Sequence, residues 1–123
     1  EINLVQPGKN YGWPEQECFG DKGFVNPLIC YDPAIEPGGI VFYYGDKLEL
    51  ENSLIMAGLR GSGLFSLDIS DNEIKDQTNI LSGMGRIRDV TQGADGYLYL
   101  ITSNTDGKAF PDKDDDKLLR ILK

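Results

Sequence analysis

Two arginines stand two residues apart in Gly85-Arg86-Ile87-Arg88-Asp89-Val90. On an extended chain, residues i and i+2 share a face, so both guanidinium groups project the same way, with Ile87 and Asp89 opposite. Two cations so placed repel each other unless an anion or a carboxylate lies between them. Their planar forks suit bidentate binding of carboxylates or phosphates. The plain alternative is a pair of surface salt bridges, for which the chain's 20 Asp and Glu residues provide ample partners. A third cation, Arg60, sits in Gly58-Leu59-Arg60-Gly61-Ser62-Gly63. The glycines there permit a tight turn and close approach of a ligand. By itself the pattern also fits a hairpin turn with a solvated arginine.

Other chemistries are restricted by what the chain lacks. It has no histidine, which excludes histidine-based hydrolase triads and imidazole-ligated zinc within these residues. The net charge of −8 repels phosphate backbones, so nucleic acid and anionic membrane surfaces are not expected partners. No apolar run approaches the roughly 18 residues of a membrane span. Asp112-Lys113-Asp114-Asp115-Asp116 begins like a calcium loop, but Lys117 stands where that loop needs glycine and Lys123 where it needs glutamate. A solvated loop is the expectation. Tyr11-Gly12-Trp13-Pro14 could stack on a sugar, although a packed aromatic turn is the simpler reading. Cys18 and Cys30 are either free thiols or a disulfide closing a Gly- and Pro-containing loop, which would contribute about 3 kcal/mol by loop-closure entropy. With no cysteine left over, the disulfide is expected, and with it an extracytoplasmic location: periplasmic, secreted or cell-surface. The chain opens at Glu1 without a basic-then-apolar leader, which reads as a processed protein or an excised piece.

The elements that must position these residues are strands. No stretch of eleven or more residues keeps apolar spacing at three and four, and 15 glycines recur throughout. After a first strand at Ile2 to Val5 come Ile40 to Tyr44, rich in β-formers, and Ser53 to Leu59, a continuous apolar run typical of strands covered on both faces. Leu64 to Ile69 places Phe65, Leu67 and Ile69 on one side and Ser66 and Asp68 on the other. Glu73 to Leu81 reads as a polar edge strand. The cycle restarts with Ile87 to Gln92, Tyr97 to Thr102 and Leu118 to Leu122, about 45 residues later, the period of a propeller blade. The chain therefore divides into a strand and Pro/Gly-rich connection (1–37), a complete four-stranded blade (38–84) and a last blade of three strands (85–123). The loop Ser103 to Lys117 precedes that blade's third strand. In a closed propeller the fourth strand of such a blade commonly comes from the other end of the chain. Two blades alone leave apolar flanks and strand edges open, so self-association is expected of the isolated chain. If blades are radial, Arg60 and the Arg86/Arg88 pair converge near the axis on one polyanionic ligand.

The runs EINLVQPGKNYGWP, YDPAIEPGGIVFY, LIMAGLRGSGLFSLDI and GRIRDVTQGADGYLYLIT occur here in that order. Their combination resembles the C-terminal third of the soluble aldose dehydrogenases dependent on pyrroloquinoline quinone (PQQ), the glucose/sorbosone dehydrogenase family. The resemblance implies an all-β fold, with about two four-stranded antiparallel blades of a six-bladed β-propeller. It also implies PQQ, a flat quinone with three carboxylates, in the central mouth, and an aldose oxidised at its C1 hydroxyl by hydride transfer to that quinone. Arg86 and Arg88 match the family's R-x-R-D-V pair that holds cofactor carboxylates. Arg60 stands where relatives have lysine or another polar residue at the quinone edge. Ala34 stands where relatives often have Ser or Thr, so a hydroxyl contact is lost, and Asp32 occupies the place of an aromatic or acidic residue near the pocket. The resemblance puts the catalytic histidine and most ligands of the quinone's Ca2+ in earlier blades. The chain thus carries no catalytic or metal-ligating candidate of its own. Isolated, it is expected to bind neither PQQ nor Ca2+ and to be inactive, while the parent engages an aldose and an electron acceptor. The alternative is a non-catalytic propeller module that binds a protein or glycan.

Overall fold

The structure, a computed structural model, describes residues 1–50 and 52–122. Lys123, the last position of the calcium-loop comparison and the end of the second blade segment, lies outside the described residues. All regular structure among them is strand. β1 (Pro37–Phe42), β2 (Ser53–Gly58), β3 (Gly63–Ser70) and β4 (Glu73–Ser82) form one antiparallel sheet in chain order. β5 (Ile87–Gln92), β6 (Leu98–Thr102) and β7 (Leu118–Ile121) form a second. These are two propeller blades, the fold class expected from the strand cycle.

The period-2 pattern explains how they pack. β2 is buried from Leu54 to Gly58 because both of its faces are covered. Leu54 and Met56 join Phe65, Leu67 and Ile2 on one side. Ile55 and Ala57 join Leu64 on the other, where they meet Ile87, Val90, Leu98 and Leu100 of the second sheet. Each such aliphatic side chain contributes about 1.5–3 kcal/mol on burial, so the face between the sheets is the main adhesive. Ser66, on the side of β3 opposite Phe65 and Leu67, is buried, since that face of β3 looks toward the second blade. β4 is exposed over most of its length and pairs only with β3, as its polar sequence requires.

The innermost strands approach each other closely. A Cβ on Gly38 would fall 2.3 Å from the Arg88 carbonyl oxygen, a backbone atom that cannot swing aside, so only glycine allows β1 to lie against β5 there. Tyr43, fully buried just after β1, locks the blades from the far end. Its hydroxyl donates to the Gly96 carbonyl (2.8 Å) and accepts from the Lys47 and Leu48 N–H groups (both 3.1 Å).

The segment before β1 departs from expectation. Instead of a strand at Ile2 to Val5, only Ile2 pairs, through an isolated antiparallel bridge with Ile29. The following residues, Asn3 through Gln6, turn away to form a loop in which Tyr11 Oη donates to the Leu4 carbonyl and accepts from the Gln6 N–H. Cys18 and Cys30 form a disulfide with Cα atoms 5.4 Å apart, and buried Gln16 donates across the same loop to Asn26 Oδ1. The loop thereby presents Ile2, Ile29, Tyr31 and Ile35 to the outer face of the first blade. Trp13 is 76% exposed, so the packed aromatic turn holds for the hydrogen-bonded Tyr11 and not for the tryptophan.

Candidate functional site

A cavity of about 580 Å³ opens at one end of the two blades, between the β2–β3 turn, the approach to β5 and the β6–β7 loop. Among the charged residues lining it, Arg60, Arg86, Lys108 and Lys117 oppose Asp112 and Asp115. The excess of cations contrasts with the acidic chain as a whole.

Arg60 arrives on the turn between β2 and β3. Its N–H and that of Gly61 both donate to the Ile35 carbonyl (3.0 Å each), so the turn is pinned to the segment preceding β1. The side chain is exposed and makes no ion pair with the described residues.

Arg86 is held from two directions. Its N–H donates to Asn104 Oδ1 (2.8 Å), and its carbonyl accepts from the Ser103 N–H (2.8 Å). Gly85 has φ +79°, and a Cβ there would lie 2.3 Å from Asn104 Oδ1. Glycine thus gives the turn its left-handed backbone and gives Asn104 room to reach Arg86. The side chain of Arg86 is only 8% exposed, and its Nη2 meets Glu36 (3.4 Å) and Asp106 (3.3 Å). Its Nε is buried with no hydrogen-bond partner among the described residues.

Arg88 does not follow simple alternation. The β5–β6 register skips it, with Ile87 opposite Thr102 and Asp89 opposite Ile101. This bulge makes Ile87 and Val90 the buried pair and leaves Asp89 exposed, correcting the expected placement of Ile87 and Asp89 together. Bulges re-aim side chains in this way. Arg88 Nη2 donates to Ser103 Oγ (2.9 Å) and to Asp106 Oδ2 (3.3 Å). The two guanidinium groups therefore converge on one carboxylate oxygen, that of Asp106. Burial pushes the Asp106 carboxyl up, but the Lys108 N–H, the Arg86 charge and the Ser103 hydroxyl outweigh it and hold it below the usual range.

The structure brings Arg60 and Arg86 to one cavity and joins Arg86 to Arg88 through Asp106, while Arg88 stands outside the cavity lining. Asp32 and Ala34 are exposed on the segment leading to β1.

The β6–β7 loop is more ordered than its composition suggested. Asp115, expected in a solvated run, has a side chain only 2% exposed. It accepts from Asn104 Nδ2 (3.0 Å) and the Asp112 N–H (2.9 Å) and pairs with Lys117 (3.3 Å). Asp116 accepts from Thr105 Oγ1 (2.7 Å) and the Asn104 N–H. The Asp112 N–H, foremost, holds the Asp115 carboxyl low, and the Thr105 hydroxyl does so for Asp116. Asn104, Asp106 and Glu36 were not singled out from sequence, and Asp115 was read there only as part of a solvated run. The one available signal was Asn104-Thr105-Asp106-Gly107, a turn-forming run directly after a strand. Among the described residues no group of three possible ligands is placed to hold a metal ion, and no helix is long and apolar enough to cross a membrane.

The family profile described as glucose/sorbosone dehydrogenase matches residues 1–120. An uncharacterized protein of Synechocystis is 37% identical over 88% of this chain and 30% of its own length. The aldose sugar dehydrogenase YliI of Escherichia coli is 31% identical over 88% of the chain and 33% of its own length. A putative oxidoreductase (glucose dehydrogenase) of Thermus thermophilus superposes with a TM-score of 0.84 at 37% identity, covering 96% of this chain and 35% of that one. The PQQ-bound aldose sugar dehydrogenase of Streptomyces coelicolor does so at 0.80 and 39%, over 96% and 34%. The chain spans about a third of the length of these relatives.

Proposed function

The chain belongs to the glucose/sorbosone dehydrogenase family of oxidoreductases, and from that premise we propose that it is part of a PQQ-dependent aldose dehydrogenase whose cofactor carboxylates are held by Arg86 and Arg88, with Arg60 at the quinone edge. The observation that carries this reading is the convergence of Arg86 and Arg88 on a single carboxylate, beside a cation-rich cavity that Arg60 and Arg86 line. The residues fit the group: a buried Arg86 Nε without a hydrogen-bond partner among the described residues is a donor waiting for an acceptor, and PQQ brings three carboxylates. Bound there, PQQ would supply the acceptor for the hydride leaving the sugar's C1. The chain's own contribution is to bind and orient. The Asn104 side chain and the Ser103 N–H fix the Arg86 backbone, the bulge aims Arg88, and the pinned β2–β3 turn sets Arg60 at the rim.

No histidine is available in these residues to take the C1 hydroxyl proton, so the base, and Ca2+ with its ligands, belong in this reading to other parts of the parent. The disulfide supports an extracytoplasmic parent. The test is dye-linked oxidation of aldoses by the PQQ-reconstituted parent and by the isolated chain. Turnover by the parent alone is expected. A parent inert toward a broad panel of aldoses would overturn the reading, and turnover by the 123-residue chain would overturn the assignment of the base elsewhere.

A further inference from the structure

We propose that Asp106 is a built-in stand-in for a ligand carboxylate: it pairs with both arginines and is displaced when a carboxylate ligand binds. This rests on the reading of Arg86 and Arg88 as the cofactor's carboxylate site and adds a competitor to it.

The geometry is that of a weak, replaceable partner. A single oxygen, Oδ2, serves both guanidinium groups at 3.3 Å, whereas charge-assisted N–H···O bonds are ordinarily about 2.7–2.9 Å and often bidentate. Every hydrogen bond from the two side chains leaves through Nη2. Arg86 Nε, buried, has no hydrogen-bond partner among the described residues. The pair is thus arranged for a broader acceptor than the one that fills it.

Asp106 is also placed so that it can leave. Its other oxygen is tied to its own turn, accepting from the Lys108 N–H at 3.1 Å. That turn, Thr105 to Lys108, is exposed, and a Cβ on Gly107 would meet nothing within 4 Å. The base of the loop is anchored separately, through Asn104, Asp115 and Asp116. Rotation of the Asp106 side chain therefore leaves the support of Arg86 intact.

Charge decides the consequence. Arg86 and Arg88 face Glu36 and Asp106, so the cluster is neutral without ligand, and a carboxylate must compete with Asp106 for the same donors. Removing Asp106 converts the pair into an open cationic site.

The test is titration of the apo parent with PQQ, read by tryptophan fluorescence and calorimetry, for the wild type, Asp106→Asn, Asp106→Ser and Asp112→Asn. Asp106→Ser keeps a turn-forming oxygen should the amide variant fold poorly. Asp112→Asn removes the same charge from the cavity wall without touching the pair, and so measures the general effect of a lost anion. Both Asp106 variants are expected to bind PQQ about tenfold tighter or more, with Asp112→Asn within threefold of wild type. Asp106 variants that bind no tighter than wild type, or Asp112→Asn matching them, overturn the proposal. Wild-type binding tells the two failures apart: an apo parent that binds PQQ while the Asp106 variants show no gain removes the stand-in role alone. Failure of wild type and variants alike to bind removes the cofactor reading beneath it as well.

Discussion

Replacing Tyr43 by phenylalanine deletes one oxygen at the join between the two blades. The ring is fully buried and stays in place, so the apolar contribution is nearly unchanged. What is lost is a three-way junction: the hydroxyl's bond to the Gly96 carbonyl of the second blade, and its acceptance of the Lys47 and Leu48 N–H groups of the first. Each bond is worth about 0.5–1.5 kcal/mol net, and a buried group left without a partner costs about 1–3 kcal/mol. The Leu48 N–H is the buried one; Lys47 and Gly96 regain part of their loss from water. A total of about 3 kcal/mol follows. With a urea slope near 2 kcal/mol/M for a domain of this size, the unfolding midpoint falls by roughly 1.5 M at unchanged slope. Tyr44→Phe, on a residue 75% exposed, is the control and should move it by less than about 0.3 M. The assay is urea unfolding followed by circular dichroism. A Tyr43→Phe midpoint within that same 0.3 M would refute the claim that this hydroxyl joins the blades.

Two further outcomes are expected. Asp106, Asp115 and Asp116 all hold their protons less readily folded than unfolded, so their stabilisation is complete above the unfolded carboxylate pKa of about 3.9 and lost as pH falls below it. Acid titration of stability should show a decline that is shallower in Asp115→Asn; identical profiles would count against the loop's anchoring. The outward faces of both sheets carry exposed Ile40 and Phe42 on one side and Ile101 and Leu118 on the other. Sedimentation of the isolated chain should therefore show self-association at micromolar concentration, and a folded monomer would mean these patches tolerate water.

Much of the fold was legible because strands write their packing into alternate residues. Ser53 to Leu59 reads as a doubly covered strand from its continuous apolar run, and it is buried on both faces from Leu54 onward. The same logic misplaced Asp89, because an extra residue at Arg88 shifts the phase and a bulge carries no compositional mark. The β6–β7 loop was opaque for a different reason. Its order comes from side chain-to-backbone hydrogen bonds such as those of Asp115 and Asp116, which have no period, and a run of aspartates resembles a solvated loop. The arginine pair was visible as a pair, but its carboxylate partner, eighteen and twenty residues away, becomes a neighbour only when β6 folds back along β5.

The central claim is that this pair receives the cofactor's carboxylates, and the direct measurement is PQQ titration of the apo parent beside Arg86→Ala, Arg88→Ala and Arg88→Lys at one ionic strength. A charge-assisted bond is worth about 1.5–3 kcal/mol, so each alanine variant should lose ten- to a hundredfold in affinity. Arg88→Lys should lose affinity too, since a point charge does not reproduce the planar fork. Unchanged affinity in both alanine variants would contradict the account and leave Arg86 and Arg88 as partners of Glu36 and Asp106 alone.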